Sequence, residues 1–414
     1  MKRNPDFSLH NIAGTVYLLP HGQGIADHRR GIRLNETGVF LWNLLEHISD
    51  CQELLCRYAD YYEASFDELP QLKQDLTDFL DQLFSLGILL EDAVPAQIAD
   101  RHSPMIVKPV QPARTNIRTN CFLFLKIGPL VVHLICHSNA LPSEFLPFQT
   151  TEAACADLTV ELKNADLSIP EKKLSVIQNP ELCLYETDRQ YFLQFPQMPQ
   201  LTGAVLSKDG SYAAVSCRMP FTKQFSKDLF HVMRFLFLYT AQKHDCFVLH
   251  SASILYQEQA WLFSGHSGMG KSTHTNLWKE LFQVPVFNGD LNMLGFENGT
   301  PVIYGLPWCG TSGIAETGSY PLGGIVLLGR GTMDACVELA MDQKILLTTQ
   351  RLISPVWNAS MLQHSLDFMT ALAARTRICL LKCTKNPAAA ETMKHWIDQP
   401  LDDSHEPSGF PAGE

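Results

Sequence analysis

Across residues 1–92 the apolar positions switch from alternating to helical spacing. Phe7–Leu9, Thr15–Leu19 and Gly31–Leu34 read as short strands, broken at Gly14 and at His21-Gly-Gln-Gly24. Asn35-Glu-Thr-Gly38 offers a helix cap, and Val39, Phe40, Trp42, Leu44, Leu45 and Ile48 follow at helical spacing. A second helix is predicted over Cys51–Tyr62. A third runs from Asp67, or from just after Pro70, to Phe84, with Leu72, Leu76, Phe79, Leu80 and Leu83 on one face. Ser85-Leu-Gly87 ends it, and Ile88–Leu90 is expected to return to the sheet. Strands followed by three helices make a small winged-helix-like α+β unit.

Residues 93–118 carry Pro95, Pro104, Pro109 and Pro112 with few large apolar side chains, and read as a linker. From 119 to 245 the pattern is β-rich. Strand character falls on Phe122–Ile127, Leu130–Ile135, Leu158–Leu162, Leu182–Tyr185, Tyr191–Phe195 and Ala213–Cys217, followed by a helix over Phe225–Gln242. From 246 to 398 strands and helices alternate as in an α/β domain. Strands are predicted at Cys246–Ile254, Ala260–Phe263, a segment ending at Asp290, one starting at Val302, Ile325–Leu328 and Ile378–Cys383. Helices are predicted over Thr273–Phe282, Met361–Ala374 and Ala388–Ile397. The tail 399–414, rich in Asp, Pro, Ser and Gly, reads as disordered.

A length of 414 residues exceeds one ordinary core, so two or three domains are expected. The net charge of −11 argues against a nucleic-acid partner held by phosphate attraction. The 12 cysteines include no Cys-x-x-Cys pair, which suits small core side chains in a reducing, cytoplasmic setting. No apolar run is long enough to cross a membrane, and the N-terminus lacks the apolar core of a signal peptide. A homo-oligomer is compatible with the sequence but not specified by it.

The chemistry concentrates in Phe263-Ser-Gly-His-Ser-Gly-Met-Gly-Lys-Ser-Thr273. Gly265, Gly270, Lys271 and Ser272 fit G-x-x-x-x-G-K-[ST], between a strand and a helix. Such a loop turns backbone N–H groups toward phosphate. Its lysine meets the β/γ-phosphates, and its hydroxyl can join a Mg²⁺ shell. Gly265, His266, Ser267, Gly268, Met269, Gly270, Lys271, Ser272 and Thr273 are therefore the candidate ATP contacts, with Ser272 for the metal. Asp290 stands at a strand end, and His250 could orient phosphate or assist proton transfer. The loop Tyr304–Gly313, with Trp308, Gly310 and Thr311, is the candidate acceptor surface. Arg330 and Arg351 are candidate γ-phosphate clamps.

Two resemblances add to this reading. Arg33-Leu-Asn-Glu-Thr-Gly-Val-Phe-Leu-Trp42, with the helix ending in Leu83-Phe-Ser-Leu-Gly-Ile-Leu89, resembles the PqqD family. That likeness implies a recognition element for ribosomally made, modified peptides. A leader would add a strand beside Ile32, Arg33 and Leu34 and pack on the third helix. His250, the glycine loop and an Asp at a strand end are similar to the HPr kinase/phosphorylase domain, which is related to phosphoenolpyruvate carboxykinases. This implies phosphoryl transfer to a hydroxyl, with ATP and Mg²⁺, and makes Asp290 the candidate base and, with Ser272, a candidate metal contact. The family often carries two adjacent aspartates and a Glu at the start of the later strand. Here Gly289 and Val302 stand at those places. The expected function is an ATP-dependent kinase acting on a Ser or Thr of a precursor peptide. A non-catalytic ATP-gated adaptor and a small-molecule kinase remain the alternatives.

Overall fold

The computed structural model describes residues 1–91, 120–137, 141–151, 155–219, 221–310, 312–384 and 386–399. The expected linker and nearly all of the expected tail lie outside the described residues. Of the described residues, 32% are helical and 35% lie in strands, so the structure is of mixed α/β type. It divides into two compact units. One is Met1–Asp245 with Ser354–Thr370; the other is Cys246–Ile353 with Ala371–Glu414.

The first unit begins with a three-stranded antiparallel sheet of Phe7–Ile12, Thr15–Pro20 and Ile32–Leu34, in that order. Three helices cover it: Glu36–Leu44, Cys51–Tyr61 and Leu69–Ser85. Asn35 caps the first, its side chain accepting the Gly38 N–H at 2.8 Å, and Asp50 caps the second through the Glu53 N–H at 2.9 Å. Leu18, Leu34, Leu41, Trp42, Leu54, Tyr58, Leu76, Leu80 and Leu83 fill the core. Each contributes roughly 1.5–3 kcal/mol of transfer free energy. Leu89–Leu90 does not return to this sheet. It pairs with Lys2–Arg3 in a separate two-stranded ladder, where Leu89 is buried.

The same unit holds a nine-stranded sheet. Its order is Leu174–Gln178, Cys183–Glu186, Gln190–Gln194, Leu201–Ser207, Tyr212–Cys217, Leu158–Asn164, Leu130–His137, Asn120–Ile127 and Gln149–Thr150. Leu158–Asn164 runs parallel to both its neighbours, and the other pairings are antiparallel. The helix Lys223–Lys243 buries Leu229, Val232, Met233, Leu236 and Phe237. It is tied to the sheet by the Tyr239 hydroxyl, which donates to the Lys208 carbonyl at 2.6 Å. Gln23 exchanges two hydrogen bonds with the Gln178 backbone, joining the small sheet to the large one.

Burial holds the His10 and His21 imidazoles below their usual pKa. In the unfolded chain both take protons near 6.5, so their contribution to stability is present above that value and is lost as pH falls below it. The first unit should therefore melt at a lower temperature at pH 5 than at pH 7. His21→Asn should reduce the difference, as read by circular dichroism.

The second unit closes its sheet on itself. Gln259–Ser264 pairs antiparallel with Phe247–Tyr256 and parallel with Ser319–Arg330. Leu291–Glu297 and Thr300–Tyr304 complete the ring. Arg377–Cys383 and Ala335–Glu338 extend it from Ser319–Arg330. Phe263, Trp278, Val326, Cys379, Leu381 and Met393 pack a core between this sheet and the helices Lys271–Phe282 and Ala388–Asp398.

Candidate functional site: a glycine-loop cleft

The strand Gln259–Ser264 is buried from Ala260 onward, so the chain leaves it at a fixed point. The loop turns at Gly268 and Gly270, whose φ values of 74° and 101° exclude most other residues. A Cβ at Gly268 would meet nothing within 4 Å, so the backbone there is open for a close approach. The helix starts at Lys271 directly after Gly270. Its first N–H groups lack intrahelical partners and carry the positive end of the helix dipole. An anion on the loop would satisfy both.

Lys271 is 9% exposed, and its Nζ donates to the Gly265 carbonyl at 3.3 Å. Burial lowers its pKa; Asp290 works against that shift, and Arg351 adds to it. Both charges thus act on the Lys271 amine. Asp290 sits in the bend between Val286–Asn288 and Leu291–Glu297, and its Oδ1 lies 3.2 Å from His250 Nε2. Its backbone is pinned on both sides. The N–H donates to Asn288 Oδ1 at 3.2 Å, and the carbonyl accepts the Ser251 N–H at 2.9 Å. Beneath the pair is a buried polar net that the sequence reading missed. Ser253 Oγ donates to Asn292 Oδ1, and Asn292 Nδ2 donates to the Ser251 carbonyl, each at 2.7 Å. Ser251 and Ser253 alternate with apolar residues along the His250 strand, which was the available signal.

Arg351 Nη1 donates to His266 Nδ1 at 2.9 Å, and the Arg351 carbonyl accepts the His250 N–H at 3.0 Å. The Arg351 charge, then burial and Lys271, hold the His266 imidazole below its usual pKa. His266 therefore serves Arg351 rather than facing the cleft. Arg330 stands elsewhere, in a second hollow beside Gly268 and Met269.

The cleft at the loop, of about 620 Å³, is lined by His250, Ser267, Gly268, Gly270, Lys271, Ser272, Thr273 and Asp290, and also by Val286, Gly289, Ser312 and Ile314. A Cβ at Gly289 would lie 2.1 Å from Ser312 Oγ, so no second carboxylate fits beside Asp290 while Ser312 keeps its place. A Cβ at Gly310 would lie 2.8 Å from Asp290 Cγ, so Gly310 supports the carboxylate. Trp308 is 2% exposed and belongs to the core, so the expectation that it offers a substrate surface is corrected. Val302 is likewise buried in its strand. Thr311 lies outside the described residues. Among the described residues no cluster of three or more His, Cys, Asp or Glu could hold a metal ion by itself. Ser272 and Asp290 in one cleft are nevertheless a fitting partial donor set for Mg²⁺, which keeps waters and takes phosphate oxygens.

In the first unit, Ile32–Leu34 pairs, among the described residues, only with Thr15–Pro20 and is an edge strand. Ile32 itself is partly buried against the core, so the strand offers its backbone and Arg33. Beside it lies a cleft of about 610 Å³ lined by Val16, Arg33, Leu34, Val39, Phe40 and Tyr61. Tyr61 is 53% exposed and stacks on Phe40 at 4.0 Å between ring centres. The third helix was expected to supply the apolar footing. Its Leu76, Leu80 and Leu83 are buried, Leu72 and Phe79 are partly buried against the core, and Lys73, Gln74, Asp78 and Asp81 face outward.

Comparison with known families gives one match: the model for coenzyme PQQ synthesis protein D (PqqD) fits residues 22–89. Residues 22–89 thus match a PqqD domain, and the strands Phe7–Ile12 and Thr15–Pro20 precede the matched segment. No curated protein matches the chain. Among solved structures, the Hpr(Ser) kinase/phosphatase from Coxiella burnetii matches at 8% identity and a TM-score of 0.23. It covers 36% of this chain and 95% of that one. At that score the likeness carries no argument, and the chemistry rests on this chain's own residues. Among the described residues no helix is long and apolar enough to cross a membrane.

Proposed function

We propose that the chain is a phosphotransferase that moves the terminal phosphoryl group of ATP to a hydroxyl of a peptide captured by the PqqD domain. The observation that carries this reading is the convergence of an open glycine loop, Lys271 and the His250–Asp290 pair around one cleft, with Arg351 held beside the loop by His266. The loop N–H groups and Lys271 hold the phosphates, and Arg351 adds charge at the terminal one. Asp290 takes the hydroxyl proton as the hydroxyl oxygen bonds to the γ-phosphorus. The bond from that phosphorus to the β,γ-bridging oxygen breaks, and ADP leaves with the electron pair. His250 orients the Asp290 carboxylate at 3.2 Å. Mg²⁺ held by Ser272 and Asp290 would neutralise phosphate charge.

The peptide reading rests on the PqqD domain and its edge strand. An extended leader would pair with Ile32–Leu34 and set an apolar side chain against Phe40 and Tyr61. Tyr61→Ala should weaken precursor binding about tenfold by fluorescence anisotropy, with an unchanged melting temperature because the ring is half exposed. Unchanged affinity would place the leader elsewhere. The catalytic reading is tested by ADP release. Precursor peptide should stimulate it; ATP binding without any stimulation would favour the nucleotide-gated adaptor. The single carboxylate and buried Val302 are the observations that favour that second reading.

A further inference from the structure

Two hollows flank the glycine loop, and both touch Gly268. The first contains Lys271, Asp290 and His250. The second, of about 540 Å³, is lined by Met269, Gly329, Arg330, Gly331, Cys383 and Thr384. It lies where three parallel strands end. Ser264 is aligned with Leu327, and Arg330 with Cys383, so Gln259–Ser264, Ser319–Arg330 and Arg377–Cys383 finish at one rim. The glycine loop leaves the first of these strands at that rim, so a ligand held by the loop lies beside it.

We propose that the second hollow binds the nucleoside half of the nucleotide. The inference rests on the phosphotransfer reading and deepens it. In-line displacement puts the attacking hydroxyl and the departing ADP on opposite sides of the transferred phosphorus. Asp290 and His250 fix the attacking side in the first hollow. The leaving side then faces away from them, and the second hollow is the other space that the loop borders, sharing Gly268 with the first. Its lining suits a flat, weakly polar group. Gly329 and Gly331 present bare backbone, Met269 a thioether, and Arg330 a planar guanidinium able to stack on a base. The Thr384 wall is fixed, because Asp334 accepts its N–H at 2.6 Å and its hydroxyl at 3.2 Å. Arg330 is thus assigned to the nucleoside, and Arg351 alone remains for the terminal phosphate.

The test uses the full chain and two probes, MgATP and magnesium tripolyphosphate, which keeps the phosphates and lacks the nucleoside. Both should bind by calorimetry, and both should be lost in Lys271→Ala. Only MgATP should slow alkylation of Cys383, followed by peptide mass spectrometry, by about fivefold or more. Arg330→Ala should weaken MgATP about tenfold and leave tripolyphosphate unchanged. Cys383 labelled at the same rate with bound MgATP, or equal loss of both probes in Arg330→Ala, would overturn the inference while leaving the loop reading intact. MgATP affinity unchanged in Lys271→Ala would sink the loop reading, and the inference with it.

Discussion

Asp290→Asn should lower kcat for peptide phosphorylation about a thousandfold and leave MgATP affinity within a few-fold of the parent. The substitution keeps the shape and both backbone bonds, the Asn288 contact at 3.2 Å and the Ser251 contact at 2.9 Å. It removes the acceptor for the hydroxyl proton, and general-base loss is worth about 10²–10⁴ in rate. Asparagine can still approach His250, so the local fold should persist. Single-turnover quench measurements separate the chemical step from release. Turnover within about twofold of the parent would exclude Asp290 as the base and leave the cleft as a binding site alone.

The second large effect is expected at Lys271. Lys271→Ala should reduce kcat/KM by at least about a hundredfold, because a buried cation facing the phosphates is removed. The fold should not suffer. Burial disfavours the charged amine, so its loss also removes a desolvation cost, and the melting temperature should hold or rise. Lys271→Arg should fail as well. The ammonium reaches the Gly265 carbonyl at 3.3 Å inside a closed turn, where a forked guanidinium does not fit as a point charge. Arginine activity close to that of lysine would show that charge alone suffices, and that the turn does not select the group.

How much was legible in the sequence varied with the range of the interaction. Local signals served well. Asn35 was readable as a cap because the polar residue directly precedes a helical apolar repeat, and the side chain does accept the Gly38 N–H. Lys271 and Ser272 belong to a motif of fixed spacing, and both line the cleft. Exposed edge elements were harder. Leu174–Gln178 has no buried residue, so it left no apolar run to recognise. The helix Met341–Thr349 buries only Ile345 and Thr348, which gives too short a stripe. Tertiary relations were not readable at all. Arg351 meets His266 across a long stretch of chain, and the Gly289–Ser312 close approach explains a missing carboxylate only once both backbones are placed. Trp308 misled because it stands in a glycine-bearing loop, yet its ring completes a core.

The most direct measurement is intact and tandem mass spectrometry of a precursor peptide that binds the residue 22–89 segment, after incubation with the purified protein and MgATP. The expected result is one added phosphoryl group on a Ser or Thr of the core segment. It should be absent with Asp290→Asn and much reduced when the leader is cut away. An unmodified precursor, with ATP bound at the loop and the leader bound at Ile32–Leu34, would contradict a kinase and leave a nucleotide-gated peptide carrier.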